Sequence, residues 1–296
     1  MIPVITIEGA TASGKTALAI ALAEILNTEI ISADSRQVYR FLNIGTAKVT
    51  KEEQQRVKHH LIDIIDPNES YNAGTFAADA SMIIEKLYSE GKIPIICGGT
   101  GLYIKALLKG LFTLPPLPEE IRQNLKQRYK EEGLAALYSE LQQLDPDFAG
   151  KINENDTQRI LRGLEVALGT GLPLSEHWLK QKADCKYNAF RILIDIPRPQ
   201  LYQRINLRME KMLAQGLLDE IENLFALGYT ENSPGLKCLG YKEFLPYFQK
   251  EASLEQCTIL AAQHQRNYAK RQITWYRRGT FDLTISSAGI TVSTPL

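Results

Sequence analysis

Short apolar runs rich in β-branched residues alternate, along the first third of the chain, with longer stretches whose apolar positions recur at helical spacing. Pro3-Val4-Ile5-Thr6-Ile7 reads as a buried strand, and Ala17 to Leu26, rich in Ala and Leu, as the helix after it. Glu29-Ile30-Ile31-Ser32-Ala33 reads as a second strand that ends on Asp34-Ser35, where a turn must begin. Ile44-Gly45-Thr46-Ala47 reads as a loop and Leu61 to Ile65 as a third strand, stopped by Asp66-Pro67. Phe76 to Tyr88 then reads as a helix and Ile93 to Cys97 as the next strand; Gly98-Gly99-Thr100-Gly101 leads into a helix from Leu102 to about Lys109. Strands alternating with helices imply an α/β fold with a parallel, doubly wound sheet.

The pattern changes at Leu114-Pro115-Pro116-Leu117-Pro118, a stiff stretch that cannot continue a helix. From Glu119 to about Lys186 only helices are predicted: Ile121 to Glu132, Leu134 to Leu144, a turn at Asp145-Pro146, and Thr157 to Leu168, capped by Asn155 or Asp156 and closed by Gly169-Thr170-Gly171. Phe190 to Ile196 restores a strand. Helices around Pro199 to Gln215, Leu218 to Leu227 and Leu254 to Tyr276 follow, before a Thr-rich, strand-like tail. Residues 1–113 and 190–296 are therefore expected to form the α/β core, and 114–189 an all-helical insertion.

Gly9-Ala10-Thr11-Ala12-Ser13-Gly14-Lys15-Thr16 fits the P-loop pattern G-x-x-x-x-G-K-[ST], with the required strand before it and helix after it. The glycines let backbone N–H groups turn inward, and the helix N-terminus adds partial positive charge. Lys15 supplies a full charge, and the Thr16 hydroxyl can ligate Mg²⁺. Such a nest takes a diphosphate or triphosphate.

Composition adds boundaries. Lys and Arg total 34 and Asp and Glu total 34, so bulk charge gives no support to nucleic-acid binding, and any such site must come from local clustering. Cys97, Cys185, Cys238 and Cys257 are scattered without a C-x-x-C pair, which argues against a zinc site or disulfide framework and suits a reducing cytoplasm. Charges interrupt every apolar run before the roughly 18 residues of a membrane span. A soluble cytoplasmic protein, without a membrane partner and monomeric, is expected.

Asp34 lies at the carboxyl end of a strand, on the sheet edge where open α/β folds bind ligands and onto which the P-loop also opens. It reads as a general base or a Mg²⁺-linked group, or as the acid of an Asx-turn. Ser35 could bond the same substrate or cap a helix. Many P-loop enzymes carry an Asp at the end of a further apolar strand, yet Ile93 to Cys97 runs instead into Gly98-Gly99-Thr100, which counts against an ordinary NTPase. Thr100 reads either as a substrate-facing hydroxyl or as a helix N-cap. Arg204, Arg208 and Lys211 share a helix face opposite Leu201, Ile205, Met209 and Met212, a solvated stripe by default or an anion clamp. Gln158 and Arg162 likewise share a face, with Arg159 beside them. In Gln265 to Arg278 the basic residues Arg266, Lys270, Arg271, Arg277 and Arg278 interleave with Tyr268, Trp275 and Tyr276 without an acid, which suits phosphates and unstacked bases, or a solvated helix with core aromatics. His59 and His60 lack a partner at metal-ligand spacing and read as structural polar groups.

Thr11 to Thr16, Asp34-Ser35 with Gln37-Val38-Tyr39, Ile44 to Lys48, His59-His60-Leu61-Ile62-Asp63 and Gly98 to Tyr103 form one set of stretches. Asp156 with Gln158-Arg159 and Arg162, Gly240-Tyr241, and Ala269-Lys270-Arg271-Gln272 with Thr274-Trp275 form another. Together they resemble one family nearly end to end, the tRNA dimethylallyltransferases, which prenylate the exocyclic N6 of adenosine 37, 3' to the anticodon. Ala10 stands where the family usually has Pro, and Arg36 where a Met is common; the zinc-finger set of eukaryotic members is missing, so the chain resembles the compact bacterial type.

The resemblance implies that the P-loop, Gly9, Ala10, Thr11, Ala12, Ser13, Gly14, Lys15 and Thr16, holds the diphosphate of dimethylallyl diphosphate, with Arg208 beside it and Mg²⁺ at Thr16 sharing its charge. It implies that Asp34 accepts the amine proton, with Thr100 beside the adenine. It also implies tRNA contacts, centred on the anticodon stem-loop, at Asp34, Ser35, Arg36, Gln37, Thr100, Arg122, Gln158, Arg159, Ile160, Leu161, Arg162, Gly240, Tyr241, Lys270 and Arg271. The target base must leave its stack, at a cost of about a few kcal/mol. The rivals are a P-loop small-molecule or nucleoside kinase, whose adenine pocket and arginine lid are not identified; a non-catalytic RNA-binding module, disfavoured by Lys15, Thr16 and Asp34 together; and an adenylate isopentenyltransferase, disfavoured by the helical insertion.

Overall fold

A computed structural model of the protein describes residues 1–110, 117–180, 186–286 and 289–292. In chain order its elements are β1 (Ile2–Gly9), α1 (Lys15–Leu26), β2 (Ile30–Ser32), α2 (Lys51–Arg56), β3 (His59–His60), α3 (Ala73–Ser89), β4 (Ile95–Gly98) and α4 (Gly101–Lys109). Helices α5 (Glu119–Leu144), α6 (Pro146–Ala149), α7 (Thr157–Thr170) and α8 (Leu174–Lys180) follow. The chain ends with β5 (Tyr187–Asp195), α9 (Arg198–Ala214), α10 (Leu217–Ala226), α11 (Leu245–Phe248), α12 (Leu254–Tyr276), β6 (Leu283–Ser286) and β7 (Gly289–Val292). Two compact units result, Met1–Gly110 with Cys185–Leu296, and Leu111–Asp184.

In the first unit the strands form one sheet ordered β3-β2-β4-β1-β5-β6-β7, parallel except for the final antiparallel pair. Its central strands are nearly continuous apolar runs because helices cover both faces. Val4, Ile31 and Ile96 pack against Phe76, Ala80 and Ile84 of α3 and Ile104 of α4. Ile7, Ile30 and Ile95 pack on the opposite face against Ala19, Ile20 and Ala23 of α1. Because β4 lies between β1 and β2, the carboxyl ends of all three strands converge on one edge. Glycine is required at that junction, since a Cβ on Gly98 would run into the backbone carbonyl of Ala33.

The third strand is displaced from its expected place. It is the two-residue β3, paired with Ile30 and Ile31, whereas Leu61 and Asp63 take left-handed φ values of 61° and 57° that break an extended run. Ile65 makes only an isolated bridge to Tyr39. The apolar run Leu61 to Ile65 serves two cores: Leu61 faces α3 and α4, and Ile65 faces the cluster of α9, α10 and Tyr241. The expected boundary residues Leu114, Pro115 and Pro116 lie outside the described residues.

In the second unit Asp156 caps α7 by accepting the N–H of Arg159 at 3.2 Å, and Gly171 closes it with φ 71°. α5 breaks at Gly133, where φ is 80°, between the two predicted helices. Leu125, Leu137 and Leu141 pack on Phe148, Ile160 and Leu164.

One buried ion pair fastens β1 to β5. Arg191 donates to both oxygens of Glu8, at 2.8 and 3.0 Å, while its guanidinium stacks 4.6 Å from the Phe281 ring centroid. Glu8 is 1% exposed, and its burial raises its pKa against the pull of Arg191. Removing the cation strands a buried carboxyl, so Arg191→Ala is expected to cost about 3–5 kcal/mol. Urea unfolding monitored by circular dichroism checks this, and a loss below about 1 kcal/mol would show that the pair contributes no stability.

Candidate active site

The sheet edge opens into a cavity of about 480 Å³ lined by residues from the P-loop, β2 and β4 and by side chains of α9 and α12. The P-loop forms its floor. Ala12 and Gly14 take left-handed φ values of 62° and 97°, which turns the loop tightly enough to start α1 at Lys15. Lys15 Nζ donates to the carbonyl of Ala10 at 2.7 Å. Burial pushes its ammonium pKa down to about 8, with Arg208 adding to the push and Asp34 opposing it. Cys97 lies close to Lys15, but burial pushes its thiol up to about 12, so it stays neutral.

Of the basic stripe on α9, Arg208 is half-buried against the P-loop, whereas Arg204 is exposed and reaches it through one long bond. Arg208 donates to Thr11 Oγ1 at 2.8 Å and to Gln265 Oε1 at 2.9 Å, and Arg204 donates to the Ser13 carbonyl at 3.4 Å. Leu201, Ile205, Met209 and Met212 are buried on the opposite side. At the P-loop and α9, Ser13 Oγ and Arg208 Nε are buried without a hydrogen-bond partner. Buried donors left unpaired are costly, and both groups remain able to bond the oxygens of a ligand. A larger cavity, about 730 Å³, lies over β5 and β6, but the half-buried guanidinium there, Arg191, is already paired with Glu8.

On the opposite wall Asp34 makes the Asx-turn and still faces the cavity. Its Oδ1 accepts the N–H of Arg36 at 2.8 Å and, more weakly, that of Gln37 at 3.4 Å, an Asx-turn that employs one oxygen only. Asp34 also lines the cavity. Thr100 precedes α4 without a side-chain capping bond; its Oγ1 instead accepts the N–H of Ser35 at 3.1 Å. The Asp34-Ser35 turn and the Gly99-Thr100 turn are thereby held together. Gln37 donates to the Ala47 carbonyl at 3.1 Å, which fixes the loop carrying Thr46 and Ala47 along the rim.

Other predicted residues lie off the cavity. Arg36 donates to Cys238 Sγ at 3.1 Å. Tyr241 is fully buried and its hydroxyl donates to Glu220, whose carboxylate also accepts the N–H groups of Asn43, Ile44 and Gly45. Tyr241 therefore supports the rim loop from behind and presents no side chain to tRNA. Gly240 donates to the buried Glu243. Lys270 and Arg271 are exposed on α12, and the Arg271 guanidinium lies 5.6 Å from the Tyr268 ring centroid. In the helical unit Arg122 and Arg162 both pair with the buried Glu165, at 2.9 and 2.8 Å. Arg159 pairs with Asp156 at 3.3 Å, and Gln158 is exposed. Ile160 is buried in the core of that unit and Leu161 packs partly against it, so the Ile160 side chain is not a binding surface. His60 pairs with Glu29 at 2.6 Å, whereas His59 lines the cavity with Nε2 unpartnered.

Gln265 and Gln272 are not among the predicted site residues, and Tyr268 enters there only as one aromatic of the basic segment Gln265 to Arg278. Buried glutamines at i and i+7 on a helix otherwise rich in exposed cations are the available sequence signal. Among the described residues there is no cluster of three or more His, Cys, Asp or Glu side chains able to hold a metal. Thr16 and Asp34 both line the cavity, and two oxygen ligands suffice for Mg²⁺ that keeps its waters and rides on substrate phosphates. Also among the described residues, no helix is long and apolar enough to cross a membrane.

The family model for IPP transferase matches residues 37–279. The chain is 44% identical over 278 residues to the tRNA dimethylallyltransferase of Syntrophobacter fumaroxidans, spanning 93% of this chain and 81% of that one. It is similar to the crystal structure of the full-length tRNA isopentenylpyrophosphate transferase from Bacillus halodurans, with TM-score 0.71 and 36% identity over 97% of this chain and 90% of that one. A eukaryotic dimethylallyltransferase, solved in crystallographic snapshots of its action on tRNA, gives TM-score 0.83 and 30% identity over 97% of this chain and 74% of its own. With its P-loop core and a family match over most of its length, the chain belongs to the tRNA dimethylallyltransferases.

Proposed function

We propose that the protein transfers the dimethylallyl group of dimethylallyl diphosphate to the exocyclic N6 of adenosine 37 in tRNA and releases diphosphate. The observation that carries this reading is the unpartnered buried Nε of Arg208, which lines the same cavity as Lys15 and Asp34, together with the unpartnered Oγ of Ser13 in the P-loop. Anionic oxygens at the P-loop would complete those bonds. The amine nitrogen bonds to the allylic carbon while the carbon–oxygen bond to diphosphate breaks, and the electron pair leaves on the diphosphate. A carboxylate is too weak a base to deprotonate an aryl amine beforehand, so Asp34 accepts the proton as the nitrogen becomes cationic. Lys15 and Arg208 stabilise the charge that develops on the leaving group. Mg²⁺, held by Thr16 with Asp34 close by, would share that charge when bound.

The tRNA would be gripped by Lys270 and Arg271 of α12 and by the exposed Arg122, Gln158, Arg159 and Arg162 of the helical unit. In this reading the protein acts as a monomer in the cytoplasm, where tRNA resides. The test is mass analysis of nucleosides from unmodified tRNA incubated with the protein, dimethylallyl diphosphate and Mg²⁺. Adenosine should gain one dimethylallyl unit at position 37. Transfer to free adenosine monophosphate instead of tRNA, or phosphate transfer from ATP to a nucleoside, would replace this reading with a rival.

A further inference from the structure

Helix α12 turns two buried glutamines toward the site, two helical turns apart. Gln265 accepts from Arg208, as described. Gln272, 6% exposed, accepts the backbone N–H of Thr11 through Oε1 at 2.8 Å and donates through Nε2 to the carbonyl of Gly99 at 2.8 Å. Thr11 belongs to the loop that takes the diphosphate, and Gly99 adjoins Thr100 on the acceptor wall. A single carboxamide thus bonds both halves of the site. Gly99 leaves the room for it, since a Cβ there would stand 2.5 Å from Gln272 Nε2. A carboxamide does this without charge, accepting through its oxygen and donating through its nitrogen.

We propose that Gln272 is a positioning residue that sets the distance and angle between the P-loop and the Gly99-Thr100 turn, and so between allylic carbon and amine. The inference rests on the donor and acceptor assignments of the preceding section. Losing one neutral hydrogen bond changes a binding constant by about 2- to 10-fold. Misplacing two reactants by about 1 Å costs on the order of 10²-fold in rate. A positioning role therefore predicts a far larger loss in transfer than in binding.

The experiment compares wild type with Gln272→Met, which keeps length but neither bond, and with Gly99→Ala, which displaces the amide from the other side. Affinity for inorganic diphosphate is measured by calorimetry without tRNA, and transfer in single turnover with both substrates saturating. Gln272→Met should bind diphosphate about 3- to 10-fold more weakly and transfer about 10²-fold more slowly. Gly99→Ala should reproduce the slow transfer, and the double variant should be no slower than Gln272→Met alone. A merely structural role would reduce the fraction of active sites, counted in the single-turnover amplitude, and leave the rate per site within about threefold; that result overturns the proposal. Diphosphate affinity unchanged in both variants overturns it as well. Should wild type transfer nothing to tRNA while diphosphate binding still weakens in Gln272→Met, the functional reading fails and the support of the P-loop by Gln272 is upheld.

Discussion

Asp34→Asn is expected to slow single-turnover prenyl transfer by about 10²- to 10⁴-fold while leaving the affinity for both substrates within about threefold. The substitution separates the turn that Asp34 makes from the proton transfer proposed for it. Oδ1 accepts the N–H groups of Arg36 and Gln37 and so shapes the turn after β2. Asparagine has the same oxygen in the same place and is an equally good Asx-turn residue, so the turn and its link to Thr100 persist. The charge and the basicity are lost, and an NH₂ replaces the oxygen that would take the proton. Saturating both substrates suppresses any binding defect, leaving only the chemical step in view. A rate within a few-fold of wild type would reduce Asp34 to its turn and remove the adenine from this wall.

Lys15→Met is expected to lower kcat/KM for dimethylallyl diphosphate by about 10²- to 10³-fold, as loss of one preorganised charged donor does elsewhere. It should not destabilise the protein. In the unfolded chain a lysine titrates near ~10.4, whereas burial brings Lys15 down to about 8 in the fold. Between those values the unfolded state holds more protons, so the penalty for burying this ammonium is complete below about pH 8 and fades as pH rises toward ~10. The thermal midpoint of Lys15→Met should therefore match or exceed that of wild type at pH 7, with the difference shrinking above pH 8. Diphosphate favours the protonated amine, so wild-type affinity for it should fall about tenfold per unit once pH passes about 8. Inorganic diphosphate at a hundredfold excess over its Kd should stabilise wild type by about 2.7 kcal/mol and the variant far less. A variant that melts well below wild type at pH 7, or that responds to diphosphate equally, would show that Lys15 is a packing residue.

The elements written into the sequence by local pattern are those found: β1 and its P-loop, β2 leading into the Asp34 turn, and β4 running into its glycine turn. Capping chemistry gave the ends of α7, and α12 begins on a Ser253–Gln256 capping box. Leu61 to Ile65 misleads because its apolar residues serve two cores across left-handed turns, and left-handed conformations at Leu61 and Asp63 have no glycine to announce them. The basic stripe of α9 has no distinctive mark either. Arg204 and Arg208 acquire meaning only when the fold brings α9 over the P-loop, about 190 residues away in sequence. Tyr241 shows the opposite limit: the family pattern singles it out, but what it holds is Glu220 and the loop behind the rim. A pattern of preferred residues does not distinguish a side chain that touches the substrate from one that braces the wall.

Helix α12 runs without interruption from Leu254 to Tyr276, and residues seven apart on a helix return to nearly the same direction, within about 20°. The interval between Gln265 and Gln272 thus acts as a ruler of fixed length laid along the site. A single inserted or deleted residue within it would rotate Gln272 by about 100° relative to Gln265, away from Thr11 and Gly99 together. Divergent homologues should accordingly exchange many side chains along this interval yet keep its length, and admit insertions in the loops before Ser253 and after Tyr276.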